Sequence, residues 1–459
     1  MKLRRWQKAC IDEAMDKYTH PYSHFLCLAT PGAGKTAMAS TLAKNLFADS
    51  KIDLVMCFSP SLVIARDFQI ALELHTKKRF CGGLGSSGTS LCYHSMQSLG
   101  ERFWALFEQN RVFVIFDEIH HCAGGNEHTA NAWGGQILAN IQGKATYTLA
   151  LTGTPWRSDN IPIALANYCE NNQQIHCDHK YGLLDAIKDG VCRAPHITAL
   201  DNRKITVTSQ NETSIYKSFT ELLSDSSCVY KDIIEHPEVI NYLLGLARTR
   251  LNQLRKYSPD SGGLIVAASV EHAKQIKDSL FKMGECSTIV TYRELNPLTI
   301  IQEYKFGYDK WIISVGMISE GTNIPRLRVC CYLSQVKTEL YFRQVLGRVM
   351  RVHHDINEIG YFFMPAHNKL LEYAQRIKED IPEQVQINIE MFAQLDLHED
   401  NKVDELATLI PKNKSLKQPN TEKPPLNLQL QSLTPHSIEQ TYLYSINSLG
   451  RFSQAIYEL

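Results

Sequence analysis

Short, wholly apolar runs alternate with longer amphipathic stretches along this chain as far as Pro365. Phe25-Leu26-Cys27-Leu28, Leu54-Val55-Met56-Cys57-Phe58, Val112-Phe113-Val114-Ile115-Phe116 and Thr146 to Leu151 lack the two-residue alternation of a strand with one wet face. Runs of this kind are strands covered on both sides, as in a parallel sheet. Between them, Ala37 to Phe47 and the stretch from Leu62 have helical periodicity. The second half repeats the scheme, with strands predicted over Gly263 to Ala268 and Trp311 to Val315 and a helix over Tyr341 to Arg351. Strand and helix in alternation predict an α/β fold with parallel sheets.

The pattern thins after Pro365. His367 to Glu390 stays helical in character, and a helical extension is expected over 367–410. Residues 411–435, rich in Pro, Lys, Asn and Gln, read as a flexible linker. Ile438 to Leu459 has apolar residues at near-helical spacing, so a terminal helix is expected over 436–459, packing back on the body or meeting a protein partner. Residues 201–240 are polar and carry no motif, which leaves a loop, a linker or a small insertion.

Composition narrows the class. A chain of 459 residues, 44% hydrophobic and 21% charged, is globular, with about two to four domains expected from its length. No apolar run approaches the roughly 20 residues that span a bilayer, and Met1 to Trp6 is basic without a secretory apolar stretch. A cytoplasmic chain without a membrane partner is expected. The 13 cysteines show no repeated C-x-x-C spacing, so buried reduced thiols are expected, and Cys169, Cys177 and His179 fit no common zinc module. Formal net charge is zero. Any nucleic-acid contact must therefore come from local grooves and backbone amides.

The candidate chemistry sits at the ends of the apolar runs. Ala29-Thr30-Pro31-Gly32-Ala33-Gly34-Lys35-Thr36 follows the first run and enters the first helix. A strand, a glycine-rich turn and a helix make a P-loop. Gly32 and Gly34 let the backbone turn its N–H groups toward phosphates, Lys35 brings a point charge to them, and the Thr36 hydroxyl suits Mg²⁺. Val112 to Phe116 ends in Asp117-Glu118-Ile119-His120, where Asp117 can hold Mg²⁺ and Glu118 can deprotonate an attacking water. Thr152-Gly153-Thr154 ends another run. Gln7, ahead of the P-loop, has an amide able to donate to and accept from an adenine edge. Gln344, Arg348 and Arg351 are spaced by four and three, which on a helix gives one face.

In this order the segments resemble motifs I, II and III of the superfamily 2 helicases, the DEAD/DEAH-like class. Ala at position 29 is normal in that family, and Gln7 matches its adenine-reading glutamine. Gly263 to Ser269 resembles motif IV and Trp311 to Pro325 motif V. Tyr341 to Arg351 carries the Q-x-x-G-R-x-x-R pattern of motif VI. Tyr181 to Gly190 resembles the opening of the second lobe in restriction-type and repair-type members. Asn323 departs from the Asp often found there, the position at which the resemblance implies a ribose contact.

The resemblance covers residues 3–355. It implies two tandem RecA-like domains, over 1–180 and 181–366, each a parallel sheet flanked by helices, with a small helical and flexible C-terminal tail. It implies ATP and Mg²⁺ in the cleft between them. Gln7, Thr30, Pro31, Gly32, Ala33, Gly34, Lys35, Thr36, Asp117, Gly321 and Asn323 would hold the nucleotide, with Thr36 and Asp117 on the metal. Glu118, Gln344, Arg348 and Arg351 would carry catalysis, while His120, Thr152, Gly153 and Thr154 would couple it to a strand-binding face. The activity implied is that of an ATP-dependent helicase or translocase, with DNA favoured over RNA as partner. The alternative is the motor subunit of a restriction, phage-defence or repair complex that moves on duplex without separating strands.

Overall fold

The computed structural model describes residues 3–124, 130–155, 157, 161–169, 175–202, 204–209, 212–318, 322–352, 359–379, 444–449 and 452–458. The expected linker over 411–435, residues 380–410 of the helical extension, and Gly321 lie outside them.

Each fully apolar run becomes a strand with helices on both sides. In the first lobe, α1 (Arg5–Lys17) leads to β1 (Ser23–Ala29), α2 (Lys35–Ala48), β2 (Leu54–Ser59), α3 (Leu62–Thr76), β3 (Gly88–Cys92), β4 (Val112–Phe116) and β5 (Tyr147–Thr152). After the short antiparallel pair β6 (Asn167–Tyr168) and β7 (Ile175–His176), β8 (His179–Tyr181) joins the sheet. The sheet order is β3-β2-β4-β5-β1-β8, parallel throughout. Every residue of β4 and β5 is buried, as their lack of alternation requires. The order also sets the tips of β4, β5 and β1 side by side, at the C-terminal edge where open α/β sheets take ligands.

The second lobe begins with β9 (Ala194–Asn202), followed by the hairpin of β10 (Ile205–Ser209) and β11 (Glu212–Tyr216). β12 (Gly262–Ala267), β13 (Ser287–Thr291), β14 (Trp311–Val315), β15 (Leu327–Leu333) and β16 (Ile359–Pro365) complete a parallel sheet of order β13-β14-β12-β15-β16-β9. Two tandem RecA-like lobes are thus present, each with six parallel strands.

Two expectations change. Residues 201–240 contain the β10–β11 hairpin and short helices at Phe219–Asp225 and Tyr230–Ile234, whose Phe219, Leu222, Tyr230, Ile233 and Ile234 are buried. Their apolar residues are too few per element to stand out from the polar background. The terminal helix expected over 436–459 is replaced by two strands, β17 (Tyr444–Leu449) and β18 (Phe452–Glu458). β18 pairs antiparallel with β9 from Phe452↔Asn202 to Glu458↔His196, and β17 pairs with β10. The physical reason is the edge of the second sheet: unpaired N–H and C=O groups along β9 gain a partner from a strand and none from a helix. Short apolar runs such as Tyr444-Ser445-Ile446 fit both periods, so tertiary pairing decides. The helix expected from His367 is present over Asn368–Glu379.

Candidate active site

The loop after β1 is held open from below. Gly32 and Gly34 adopt φ of 84° and 93°, a region that only glycine enters without strain, and α2 starts directly from Gly34. Its N-terminal amides and dipole therefore face the space above the loop. The loop's carbonyls are tied down from α1. Arg4 donates to the carbonyls of Ala33 at 2.6 Å and Gly32 at 3.3 Å, and Gln7 Nε2 donates to that of Gly34 at 2.9 Å. Gln7 Oε1 accepts from the Arg4 amide at 2.8 Å. Both ends of the Gln7 amide are thus committed to the loop and its anchor. The adenine contact expected of Gln7 would use the second N–H and the second lone pair of the same amide.

Lys35 points across the loop to the tip of β4. Its Nζ lies 2.8 Å from Glu118 Oε1, and Glu118 Oε2 accepts from the Gly153 amide at 3.1 Å. Glu118 sits at φ 49°, a conformation that costs a non-glycine residue about 1–3 kcal/mol and that concentrates at functional sites. Burial alone would raise its carboxyl, but the Lys35 charge, His120 and the bonds from Lys35 and Gly153 together hold it down at about 2. The pairing stabilises the fold above the ordinary carboxylate range and loses that effect as pH falls toward the depressed value. Behind it, His120 Nδ1 lies 3.5 Å from Glu118 Oε2, 2.9 Å from Thr152 Oγ1 and 3.4 Å from Thr154 Oγ1. Thr152 Oγ1 also donates to the Thr154 carbonyl at 2.8 Å. Glu118, His120, Thr152 and Thr154 form one continuous polar chain from β4 to the end of β5. Asp117 is buried at the same tip, its carbonyl accepting from Tyr93 Oη at 2.8 Å.

The opposite wall comes from the helix Glu339–Val349 and the residues after it. Arg348 is buried and donates to the Thr322 carbonyl at 2.7 Å. Arg351 donates to the same carbonyl at 3.0 Å and to Asn323 Oδ1 at 2.6 Å. The helical face expected for Gln344, Arg348 and Arg351 is corrected here. The helix stops at Val349 with Met350 as its cap, so Arg351 lies beyond it, in an isolated bridge with Cys192. The two guanidinium groups converge because both bond Thr322, rather than through helical spacing. Burial, with Arg348 beside it, lowers Arg351 to about 9. Gly347 packs directly on the loop of the first lobe.

Loop, strand tips and arginines enclose a cleft of about 940 Å³. Thr30, Pro31, Gly32, Gly34, Lys35 and Thr36 line it from the first lobe together with Asp117, Glu118, Gly153 and Thr154. Asn323, Gln344, Arg348 and Arg351 line it from the second. Gln7, Ala33, His120 and Thr152 stand behind this wall and act on it through the bonds described. Arg4 is a lining residue that the sequence reading passed over. Its signal was its place three residues before Gln7, where it caps α1. Among the described residues, no group of three or more His, Cys, Asp or Glu side chains could hold a metal ion by itself.

Gly347 offers a test of contact between the lobes. A Cβ built on it would lie 3.0 Å from Pro31 Cβ. Gly347→Ala should change thermal stability little or lower it, since the helix gain of about 1 kcal/mol is offset by crowding against Pro31 in this arrangement of the lobes. It should also lower turnover, by an overpacking cost of about 1–3 kcal/mol on closure. Calorimetry beside steady-state hydrolysis reads the two separately.

Residues 1–157 match the family described as Type III restriction enzyme, res subunit (ResIII). The chain resembles the superfamily 2 helicases in sequence and in fold. An uncharacterised protein of Mycobacterium leprae is 30% identical over 391 residues, covering 82% of this chain and 64% of its own length. The chain thus spans just under two thirds of that relative. The Schizosaccharomyces pombe protein irc3, whose provisional name is mitochondrial ATP-dependent helicase, is 22% identical over 368 residues, 77% of this chain and 55% of its own. Among solved structures, the ATP-dependent Type ISP restriction-modification enzyme LlaBIII bound to DNA superposes with a TM-score of 0.53 at 13% identity, over 82% of this chain and 29% of that one. A fragment of an HsdR-type subunit of a type I restriction enzyme from Vibrio vulnificus gives 0.52 at 14% identity, over 79% of this chain and 64% of that one. Identities this low speak to the fold alone. No helix among the described residues is long and apolar enough to cross a membrane.

Proposed function

We propose that this chain hydrolyses ATP in the cleft between its lobes and uses the cycle to move along nucleic acid, with DNA as the preferred track. One observation carries the reading: Lys35 and Glu118 of the first lobe face the Arg348–Arg351 pair of the second across a single cleft floored by a P-loop. A phosphate chain lying on Gly32 to Thr36 would meet positive charge from both lobes, which is what phosphoryl transfer requires, since catalysis there is positioning and charge stabilisation. Thr36 and the buried Asp117, both cleft-lining oxygen donors, suit a hard cation and would hold Mg²⁺, which when bound supplies positive charge at the β- and γ-phosphates.

The Lys35–Glu118 pair adds a switch to this scheme. In this arrangement the Lys35 charge holds down the basicity of Glu118. A triphosphate would draw Lys35 away, and Glu118, relieved of its main opposing charge, would recover the basicity that a general base needs. His120, Thr152 and Thr154 would report that change to the end of β5. Closure by ATP and opening after hydrolysis would then move the two lobes along the strand.

Fold likeness to an ATP-dependent restriction-modification enzyme bound to DNA and to a subunit of a type I restriction enzyme is in keeping with the second reading, a motor subunit working within a restriction, phage-defence or repair assembly. Hydrolysis measured in parallel with single-stranded DNA, duplex DNA and RNA separates the cases. Stimulation by single strands together with unwinding of a tailed duplex is expected of a helicase. Stimulation by duplex without unwinding marks the translocase, and turnover indifferent to every nucleic acid would overturn the coupling.

A further inference from the structure

The segment between β8 and β9 resembles the opening of a second lobe, yet nothing in the proposed cycle gives it work. It touches both halves of the cleft. At its start, the Tyr181 carbonyl accepts from the Thr30 amide at 3.1 Å, so the connector leaves from the P-loop itself. At its end, Cys192 Sγ lies 3.5 Å from the Pro31 carbonyl and the Cys192 backbone bridges Arg351. Arg193 follows, its large side chain fully buried.

Arg193 makes a set of contacts around the arginine pair. Its amide donates to the Met350 carbonyl at 2.6 Å. Its guanidinium donates to the carbonyls of Val349 at 3.1 Å, Leu327 at 2.7 Å and Pro325 at 3.3 Å. Two of these acceptors, Val349 and Met350, end the helix that carries Arg348, where unpaired carbonyls and the negative end of the dipole attract a cation. The other two flank the turn that follows Thr322 and Asn323, the residues that hold the Arg348 and Arg351 guanidinium groups. One rigid, planar fork therefore joins the element from which the arginines depart to the element on which they rest.

We propose that Arg193 is a positioning residue for the arginine pair, fixing the direction in which the chain leaves the helix toward Arg351 and the turn against which both arginines lie. The idea rests on the hydrolytic reading of the cleft. Arg193 touches no reacting group and acts through Arg351. A misplacement of about 1 Å at the reacting centre can cost on the order of 100-fold in rate, so geometry alone gives the residue a large effect.

The test compares Arg193→Met and Arg193→Lys with Arg351→Ala and the Arg193→Met/Arg351→Ala double variant in the full chain. Arg193→Met should lower kcat by about 10- to 100-fold, while affinity for a fluorescent ATP analogue changes less than about twofold because the P-loop is untouched. Arg193→Lys should recover part of the rate, keeping the charge but losing the fork. In the double variant, Arg193→Met should slow the Arg351→Ala enzyme by clearly less than it slows the parent, since one of the two arginines it positions is gone; fully additive losses would overturn the proposal. Hydrogen exchange supplies a readout that needs no activity. Amides of 322–327 and 348–351 should exchange faster in Arg193→Met, or in Arg193→Lys should the methionine variant fail to fold, and unchanged protection there would refute the positioning role. A parent chain without ATPase would instead sink the hydrolytic reading, leaving the exchange result to decide whether Arg193 holds these elements.

Discussion

Arg351→Ala should cripple ATP hydrolysis while leaving nucleotide binding nearly intact. Arg351 belongs to the second lobe, whereas Lys35, Thr36 and the amides of the P-loop all come from the first, so the ground-state grip on the phosphates survives its removal. Charge that builds on the transferred phosphoryl group loses a guanidinium, and such groups are worth about 10³–10⁵ in rate. Arg351 now rests on Thr322 and Asn323, contacts it can exchange for a phosphate oxygen. It lies half-buried beside Arg348, and desolvation together with that neighbouring charge lowers it to about 9; an arriving anion relieves the crowding. If Arg351 were only a helix-end surface residue, its loss would cost about 0–1 kcal/mol of stability and leave turnover alone. Fluorescent-analogue affinity beside hydrolysis at saturating DNA separates these outcomes, and unimpaired turnover would refute a catalytic site shared by two lobes.

Removing the negative charge of Glu118 has the second large consequence. Glu118→Gln keeps the size of the side chain and one acceptor oxygen, which can serve Gly153 or Lys35 but not both, since the two donate to different oxygens of the carboxylate. ATP should therefore bind as in the parent, or more tightly, because Lys35 no longer has to leave an ion pair to meet the phosphates. Hydrolysis should fall by about 10²–10⁴, the usual contribution of a general base, and the complex should persist with its lobes closed and nucleic acid retained. Filter retention of labelled ATP and DNA by the variant, beside single-turnover hydrolysis, reads both effects. Parent-like turnover would remove Glu118 from the role of base, and loss of ATP binding would point to a structural role instead.

Much of this molecule is legible in one dimension because buried parallel strands and phosphate loops have local causes. The run Val112 to Phe116 must be covered on both faces wherever it lies, and Gly32 and Gly34 are needed for a backbone that turns left-handed whatever surrounds them. Lys35, Asp117 and Glu118 could be assigned for the same reason, since each follows directly from a strand end or a helix start. Arg4 was missed because its function depends on carbonyls 28 and 29 residues further along the chain.

Sequence alone determined the α/β class, the pairing of a P-loop with an acidic strand tip, and the order of the segments that form the cleft. Tertiary structure decided the rest. The terminal segment became strands because an open sheet edge offers hydrogen bonds that no local periodicity encodes. Arg351 fell outside its helix because Cys192 and Arg193, more than 150 residues earlier, pair with the chain where the helix ends. Helical spacing could bring Gln344 and Arg348 to one face, but only contact with Thr322 and Asn323 brings Arg351 beside them. Local sequence specifies which backbone shapes are cheap; the choice among them depends on partners distant in the chain, whose loop-closure entropy is met only when both lobes are folded.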